Sequence, residues 1–144
     1  MKMYSKIFAL LFLLSFSIGC DKDDDDSVGC SITQLENTSW RVTLYEENDS
    51  FAEPPGTYVL EVNSTSFTLS LDVNNCGGNL QICDDDQLIN FTEAGCTEAC
   101  CDSDFAESMV DFLVNDVITF EVDNDQLKLL SSTLLDKRLT LVRS

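Results

Sequence analysis

The residues of this 144-residue chain best suited to chemistry are its seven cysteines, and they fall into two groups. Cys20 stands at the end of a leader. Met1 to Lys6 is short and basic, Ile7 to Phe16 is apolar apart from Ser15, and Ser17-Ile18-Gly19 leads into the cysteine with small residues at 17 and 19. A basic segment, an apolar run of about ten residues and small residues near the cut make a secretory signal. A membrane span needs roughly 17–25 apolar residues, so this run is too short to be one. A cysteine directly after glycine at this point fits a lipobox, in which the thiol receives a diacylglycerol before cleavage. Cys20 is therefore the expected lipidation site and residues 1–19 the expected signal peptide. Acyl chains contribute about 0.8 kcal/mol per buried CH₂, and stable anchoring takes more than one chain.

The second group is Cys30, Cys76, Cys83, Cys96, Cys100 and Cys101. An even number of cysteines in an exported chain reads as a disulfide framework of up to three bridges, and six cysteines allow 15 pairings that sequence alone does not resolve. Cys100 and Cys101 are adjacent, and disulfide geometry disfavours a bond between neighbours, so they are expected to reach different partners. Cys76 and Cys83 flank an expected strand and are expected to join the Cys96–Cys101 cluster, leaving Cys30 to tie down the N-terminal end. Cys96-x3-Cys100-Cys101 lacks the spacing of a zinc finger. None of the six has a base beside it that would make it a nucleophile. No metal site and no cofactor is expected.

Histidine is absent from the whole chain. That removes Ser-His-Asp and Cys-His catalysis, histidine-ligated zinc and imidazole switches. Acidic residues are too abundant for any pair of carboxylates to single out a glycosidase. The chain is read as no enzyme. Asp84-Asp85-Asp86 and Asp123-Asn124-Asp125 could offer oxygen ligands to a divalent cation. They lack the EF-hand spacing, and turns favour aspartate in any case. The stretch Glu46 to Gly56 is the candidate loop for an enzyme inhibitor.

The formal net charge is −18. Removing the leader discards Lys2 and Lys6 and leaves 26 acidic residues against six basic ones, a net charge of −20. Such a field repels nucleic acid and anionic lipid and favours cations or basic partner proteins. A saline habitat accounts for the same charge with no partner at all. Asp21-Lys22-Asp23-Asp24-Asp25-Asp26 cannot bury itself and is expected to be a solvated tether over residues 20–31. Lysine followed by acidic residues just after the lipidated cysteine resembles the surface-export signal of Bacteroidetes lipoproteins. A competing enterobacterial rule reads aspartate after the cysteine as inner-membrane retention. The whole run favours an outer-membrane lipoprotein facing the cell surface, with the periplasmic face as the alternative.

Residues 32–144 have the length of one domain with a modest core. The pattern is mainly β. Trp40, Val42 and Leu44 alternate with polar or boundary residues, as do Tyr58, Leu60 and Val62, and Phe67, Leu69, Leu71 and Val73. Asn63 to Ser66 reads as a hairpin turn, and Asn74 to Gly78 as a turn with residues suited to positive φ. Leu80 and Ile82 make a short strand, and Leu88 to Phe91 returns. Thr92 to Cys101 reads as a cysteine-rich loop. Asp102 or Ser103 caps a helix to about Val114, with Phe105, Met109, Phe112 and Leu113 as its apolar stripe. Ile118 to Val122, Leu127 to Leu129 and Leu139 to Arg143 close the pattern. The expected fold is a small antiparallel sheet or open barrel of about eight strands with one late helix, stapled by disulfides.

This order resembles the META domain, the HslJ-like family of envelope lipoproteins. The matching residues are Leu35-x2-Thr38-x-Trp40, then Asn75-Cys76-Gly77-Gly78 after a strand, then Thr97-x3-Cys101 followed by Glu107 and Phe112-Leu113, and last Val117 to Leu129 with Leu139-Thr140-Leu141. The asparagine precedes Cys76 where the family has it following, Thr92 to Cys96 is a second Thr-x3-Cys segment, and Cys83 and Cys100 are additional. The resemblance implies a Cys76–Cys101 bridge and a non-catalytic envelope protein linked to stress or antibiotic tolerance. The expected function is a membrane-anchored binding or stress-tolerance module. The expected partners are the membrane, through the anchor, and an envelope or extracellular protein or a small ligand. The second reading is a cation-binding or enzyme-inhibitor module on a lipocalin-like barrel.

Overall fold

A computed structural model describes residues 34–83, 85–99, 102–132 and 136–144. Nine strands and one helix follow in the order β1 (Thr38–Glu47), β2 (Ser50–Ala52), β3 (Val59–Val62), β4 (Ser66–Ser70), β5 (Asn75–Cys83), β6 (Leu88–Cys96), α1 (Asp104–Asn115), β7 (Ile118–Asp123), β8 (Gln126–Ser131) and β9 (Lys137–Arg143). All pairings are antiparallel, and β1 pairs with β9, so eight strands close into a barrel. Each barrel strand lies beside the next one in the chain, and only β2 stands outside the closure. Such up-and-down closure is the connectivity of lipocalin-type barrels, and it removes the exposed edges an open sheet would carry.

Closure depends on β1. One of its edges pairs first with β3, over Thr38–Arg41, and then with β2, over Tyr45–Glu47. The other edge pairs with β9 from Trp40 to Glu47. The β1–β9 register shifts between Val42 and Leu44, where the Thr43 hydroxyl donates to the Thr140 carbonyl at 2.9 Å. This bulge changes the phase of the strand. Trp40 and Val42 point inward as their spacing predicts, but Tyr45 then takes the inward place instead of Leu44. The stretch expected to be a loop after Glu46 is a hairpin in which Asn48 and Asp49 both have positive φ, the requirement of a tight two-residue turn.

A second bulge corrects the expected turn at Asn74–Gly78. That segment runs into strand β5, and no glycine in the described residues has positive φ. The turn lies one step earlier, where the Leu71 N–H donates to the Asn74 carbonyl at 2.9 Å. Opposite Gly78 the partner strand β6 bulges at Glu93, whose φ is 53°, and the pairing jumps from Gly77↔Gly95 to Asn79↔Thr92. Gly78 is required by this close approach. A Cβ there would sit 2.6 Å from the Thr92 carbonyl oxygen and 3.0 Å from the Ala94 Cα, both backbone atoms that cannot swing away. Gly78→Ala is therefore expected to destabilise the domain by about 1–3 kcal/mol, as overpacking does, while Gly95→Ala, with no atom within 4 Å of the added carbon, is expected to cost well under half of that. Urea midpoints of the two variants check the contrast.

The interior is filled with side chains from every barrel strand. Trp40, Leu60, Leu69, Ile82, Ile89, Ile118, Leu127, Leu139 and Leu141 are all essentially inaccessible. The Trp40 indole N–H donates to the Thr38 hydroxyl at 2.7 Å, and the Arg143 guanidinium lies 4.7 Å from its ring centroid. Helix α1 connects β6 to β7, which pair only at Leu88↔Thr119 and Ile89↔Ile118, and it packs against β6 beside this weak seam. Its stripe of Ala106, Met109, Phe112 and Leu113 is buried in the core, and Phe105 is partly buried. Of the two expected caps, Asp102 and Ser103, it is Ser103 that caps the helix, accepting from the Ala106 N–H at 3.3 Å, and Asp104 and Glu107 sit in its first turn, where the helix dipole favours negative charge.

Candidate functional site

The cysteines are resolved in part. Cys76 and Cys96 form a disulfide. This corrects the bridge to Cys101 that the family resemblance implies. Strand β6 does not stop at Phe91 but continues through the Glu93 bulge to Cys96, so Cys76 and Cys96 become direct cross-strand neighbours. The Thr-x3-Cys segment that meets Cys76 is thus Thr92 to Cys96. Cys83, at the end of β5, is also disulfide-bonded. Cys20, Cys30, Cys100 and Cys101 lie outside the described residues, as do the expected leader and tether and Asp84.

Beside the disulfide, a polar latch fastens Thr97, Ala99, Asp102 and Ser103 to the turn between β4 and β5. Asn74, nearly buried, uses its whole amide. Its Nδ2 donates to the Ala99 carbonyl and to Asp102 Oδ2, both at 2.6 Å. Its Oδ1 accepts from the Thr97 hydroxyl at 2.8 Å and from the Ala99 N–H at 2.9 Å. Asp102 Oδ1 also accepts from the backbone N–H groups of Val73 and Asn74. Next to it the Tyr58 hydroxyl donates to the Asp72 carboxylate, and the helix-capping Ser103 hydroxyl lies 2.8 Å from both partners. These carboxylates accept from donors of the fold itself, and the cluster fixes the start of α1 against the β4–β5 turn. Sequence patterning pointed only to the cap, because the bonds of Asn74 and Asp72 to the segment after β6 join residues 23 to 31 positions apart.

The latch sets two titrations. Hydrogen bonds from Tyr58 and Ser103 hold Asp72 below the usual carboxyl range. Burial, with Asp72 as hydrogen-bond acceptor, pushes Tyr58 up from 10.0 to about 12. Tyr45 is raised further, first by burial and then by Glu47, Asp116 and Asp111. A depressed acid stabilises the fold above its unfolded pKa and loses that contribution as pH falls through its folded value. A raised phenol stabilises below its unfolded pKa and loses that contribution as pH rises from 10.0 towards 12. Tyr58→Phe is therefore expected to flatten both the acid limb and the pH 10–12 limb of a stability profile, and to lower neutral stability by about 1 kcal/mol for the lost hydrogen bond. Urea melts at pH 3, 7 and 11 test it.

The other expected sites have plainer roles. Asp123-Asn124-Asp125 is the turn between β7 and β8, where Asn124 has positive φ and donates to Asp123 Oδ1 at 2.8 Å, and Asp125 lies 3.6 Å from Arg143. Among the described residues no group of three or more metal-ligating side chains comes together. Two outward depressions flank α1. One, of about 460 Å³, lies under the β1–β2 hairpin among Tyr45, Phe51, Phe105 and Ser108, with Phe51 76% exposed. The other is a groove of about 390 Å³ between the helix and β6. Leu71, Ala94, Cys96, Ala106, Val110 and Val114 make its apolar walls, and Asp102, Glu107 and Asp111 lie along it. Sequence reasoning identified only the core stripe of Phe105, Met109, Phe112 and Leu113 and missed the groove, because the bulged extension of β6 supplies its second wall.

No helix among the described residues is long and apolar enough to cross a membrane. No family model matches the chain, and no curated protein matches it. Two solved structures are similar in fold. A protein from Burkholderia xenovorans, solved by NMR, is 18% identical with a TM-score of 0.62, covering 76% of this chain and 83% of its own. A DUF4847 family protein from Bacteroides vulgatus ATCC 8482, solved by crystallography, is 13% identical with a TM-score of 0.57, covering 76% of this chain and 94% of its own. At these identities the likeness shows a shared β-barrel fold, and the barrel is compatible with a non-catalytic binding module.

Proposed function

We propose that this chain is an outer-membrane lipoprotein, acylated at Cys20 and facing the cell surface, whose barrel acts as a non-catalytic binding module in envelope stress tolerance. The observation that carries the binding reading is the contrast between inside and outside. The barrel interior is filled by large side chains, while an apolar groove lies open on its outer wall. The carboxylates of the latch are held by the fold's own donors, which favours binding over catalysis. The leader, the lipobox cysteine and the Lys-plus-Asp run support the address. A META-like affinity belongs to the same reading, supported by the meeting of Cys76 with a Thr-x3-Cys segment and by one late helix, although the up-and-down strand order is that of lipocalin-type barrels.

Labelled palmitate should enter the wild-type chain and not Cys20→Ser, and protease added to intact cells should digest the wild-type protein. Label retained by Cys20→Ser would remove the anchor, and full resistance to shaving would remove the surface address. For the cation-binding alternative, millimolar calcium should raise the melting temperature; an unchanged melt ends that alternative.

A further inference from the structure

The groove beside α1 combines an apolar wall with a strand edge that no other described strand pairs. On the side facing β7, β6 is paired only at Leu88 and Ile89, and among the described residues no strand pairs with Asn90 to Cys96 on that side. On its other side the same stretch is held by β5 and stapled by Cys76–Cys96. A rigid, half-used edge presents backbone donors and acceptors to which an extended chain can add, with side-chain contacts setting specificity. The far wall is the side of α1 that carries half-buried Val110 and exposed Val114, with buried Ala106 at its foot and Glu107 and Asp111 as exposed acids.

Charge selects the occupant. No lysine or arginine occurs between Arg41 and Lys128. The basic residues among the described positions, Arg41, Lys128, Lys137, Arg138 and Arg143, all lie on β1, β8 and β9, neighbouring strands around the closure. The groove carries three acids and no base. The chain's own Asp21–Asp26 segment, five aspartates and one lysine, is repelled from it, as are nucleic acid and anionic lipid. Resting on the binding-module reading above, we propose that the groove takes an extended segment of a partner protein in which basic and apolar residues alternate. The segment adds to the free edge of β6, seats its apolar side chains against Val110 and Ala94, and places its cations beside Glu107 and Asp111.

The test uses the full chain in non-ionic detergent and a labelled nine-residue peptide alternating lysine and valine, with a glutamate–valine peptide as control. Anisotropy should show saturable one-to-one binding of the lysine peptide alone, weakening with salt. Glu107→Lys with Asp111→Lys should weaken binding by about tenfold, whereas Glu53→Lys with Glu61→Lys, the same charge change placed elsewhere on the surface, should change it by less than about twofold. Amide exchange should slow across Asn90–Cys96 when the peptide binds. Equal weakening by both double variants would reduce the effect to the overall field and overturn the proposal. So would absence of saturable binding, or unchanged exchange along β6. A dimer in sedimentation that Glu107→Lys with Asp111→Lys dissolves would assign the groove to a second copy meeting its basic strands, and would also overturn it. Failed palmitate labelling with peptide binding intact would sink the anchor and leave the groove proposal standing.

Discussion

Phe112→Ala is expected to lower the unfolding free energy by about 3–5 kcal/mol, the range for emptying a buried phenylalanine site. Phe112 is inaccessible to solvent at the centre of the α1 stripe, and its ring lies 5.9 Å from that of Tyr45. The helix packs its stripe into the core beside a seam that β6 and β7 bridge with only two residue pairs, so few other contacts there can compensate for a cavity. A domain of this size has a total stability of roughly 5–15 kcal/mol, so the loss is a large share of the whole. The melting temperature should fall on the order of 15 °C. Phe112→Leu, which keeps most of the volume, should cost less than half as much. A fall of only a few degrees for the alanine variant would show that the helix is not part of the cooperative core.

The second large effect concerns the staple. Replacing Cys76 and Cys96 together by alanine frees a loop with a sequence separation of 20, and the chain-entropy account puts the loss at about 3 kcal/mol. Substitution is the right experiment because a reductant would also open the bond at Cys83. Urea unfolding should show an earlier midpoint. Non-reducing peptide mapping of the wild-type chain should recover Cys76 linked to Cys96; recovery of Cys76 linked to Cys101 would overturn the observed β5–β6 register at this end. Loss of the bridge also bears on the groove, since Cys96 lines it. Strand β6 beyond the Glu93 bulge would then be held to β5 mainly through Cys76↔Cys96 and Gly77↔Gly95 backbone pairing and the Thr97 N–H bond to the Asn75 carbonyl.

The errors of sequence reading share one cause. Alternation found the strands wherever it was unbroken, as in Phe67–Leu69, Ile118–Phe120 and Leu127–Leu129. It failed at each bulge. At Thr43 one extra residue swapped Leu44 for Tyr45 on the inner face. At Glu93 a residue with positive φ broke the period, so Thr92–Cys96 looked like a loop, and the bridge that the family resemblance implied lay five residues too far along. A bulge costs one residue of phase and leaves no mark in composition. The Asn48-Asp49 turn did leave a mark, since asparagine and aspartate are the residues that tolerate positive φ, and it was readable as the hairpin that produces β2.

The sequence by itself determined the properties that depend on local chemistry or on sums over residues. These are the mainly β pattern, the late helix capped at Asp102 or Ser103, the histidine-free composition and the strongly acidic balance with no base between Arg41 and Lys128. Tertiary structure alone decided what depends on register and closure. The pairing of β1 with β9 turned a sheet into a barrel, the bulge at Glu93 chose Cys96 as the partner of Cys76, and the weak β6–β7 seam left a strand edge facing α1. Side-chain periodicity fixes which face a residue prefers, whereas cross-strand neighbours are set by the accumulated phase of every bulge and turn between them, which no local window contains.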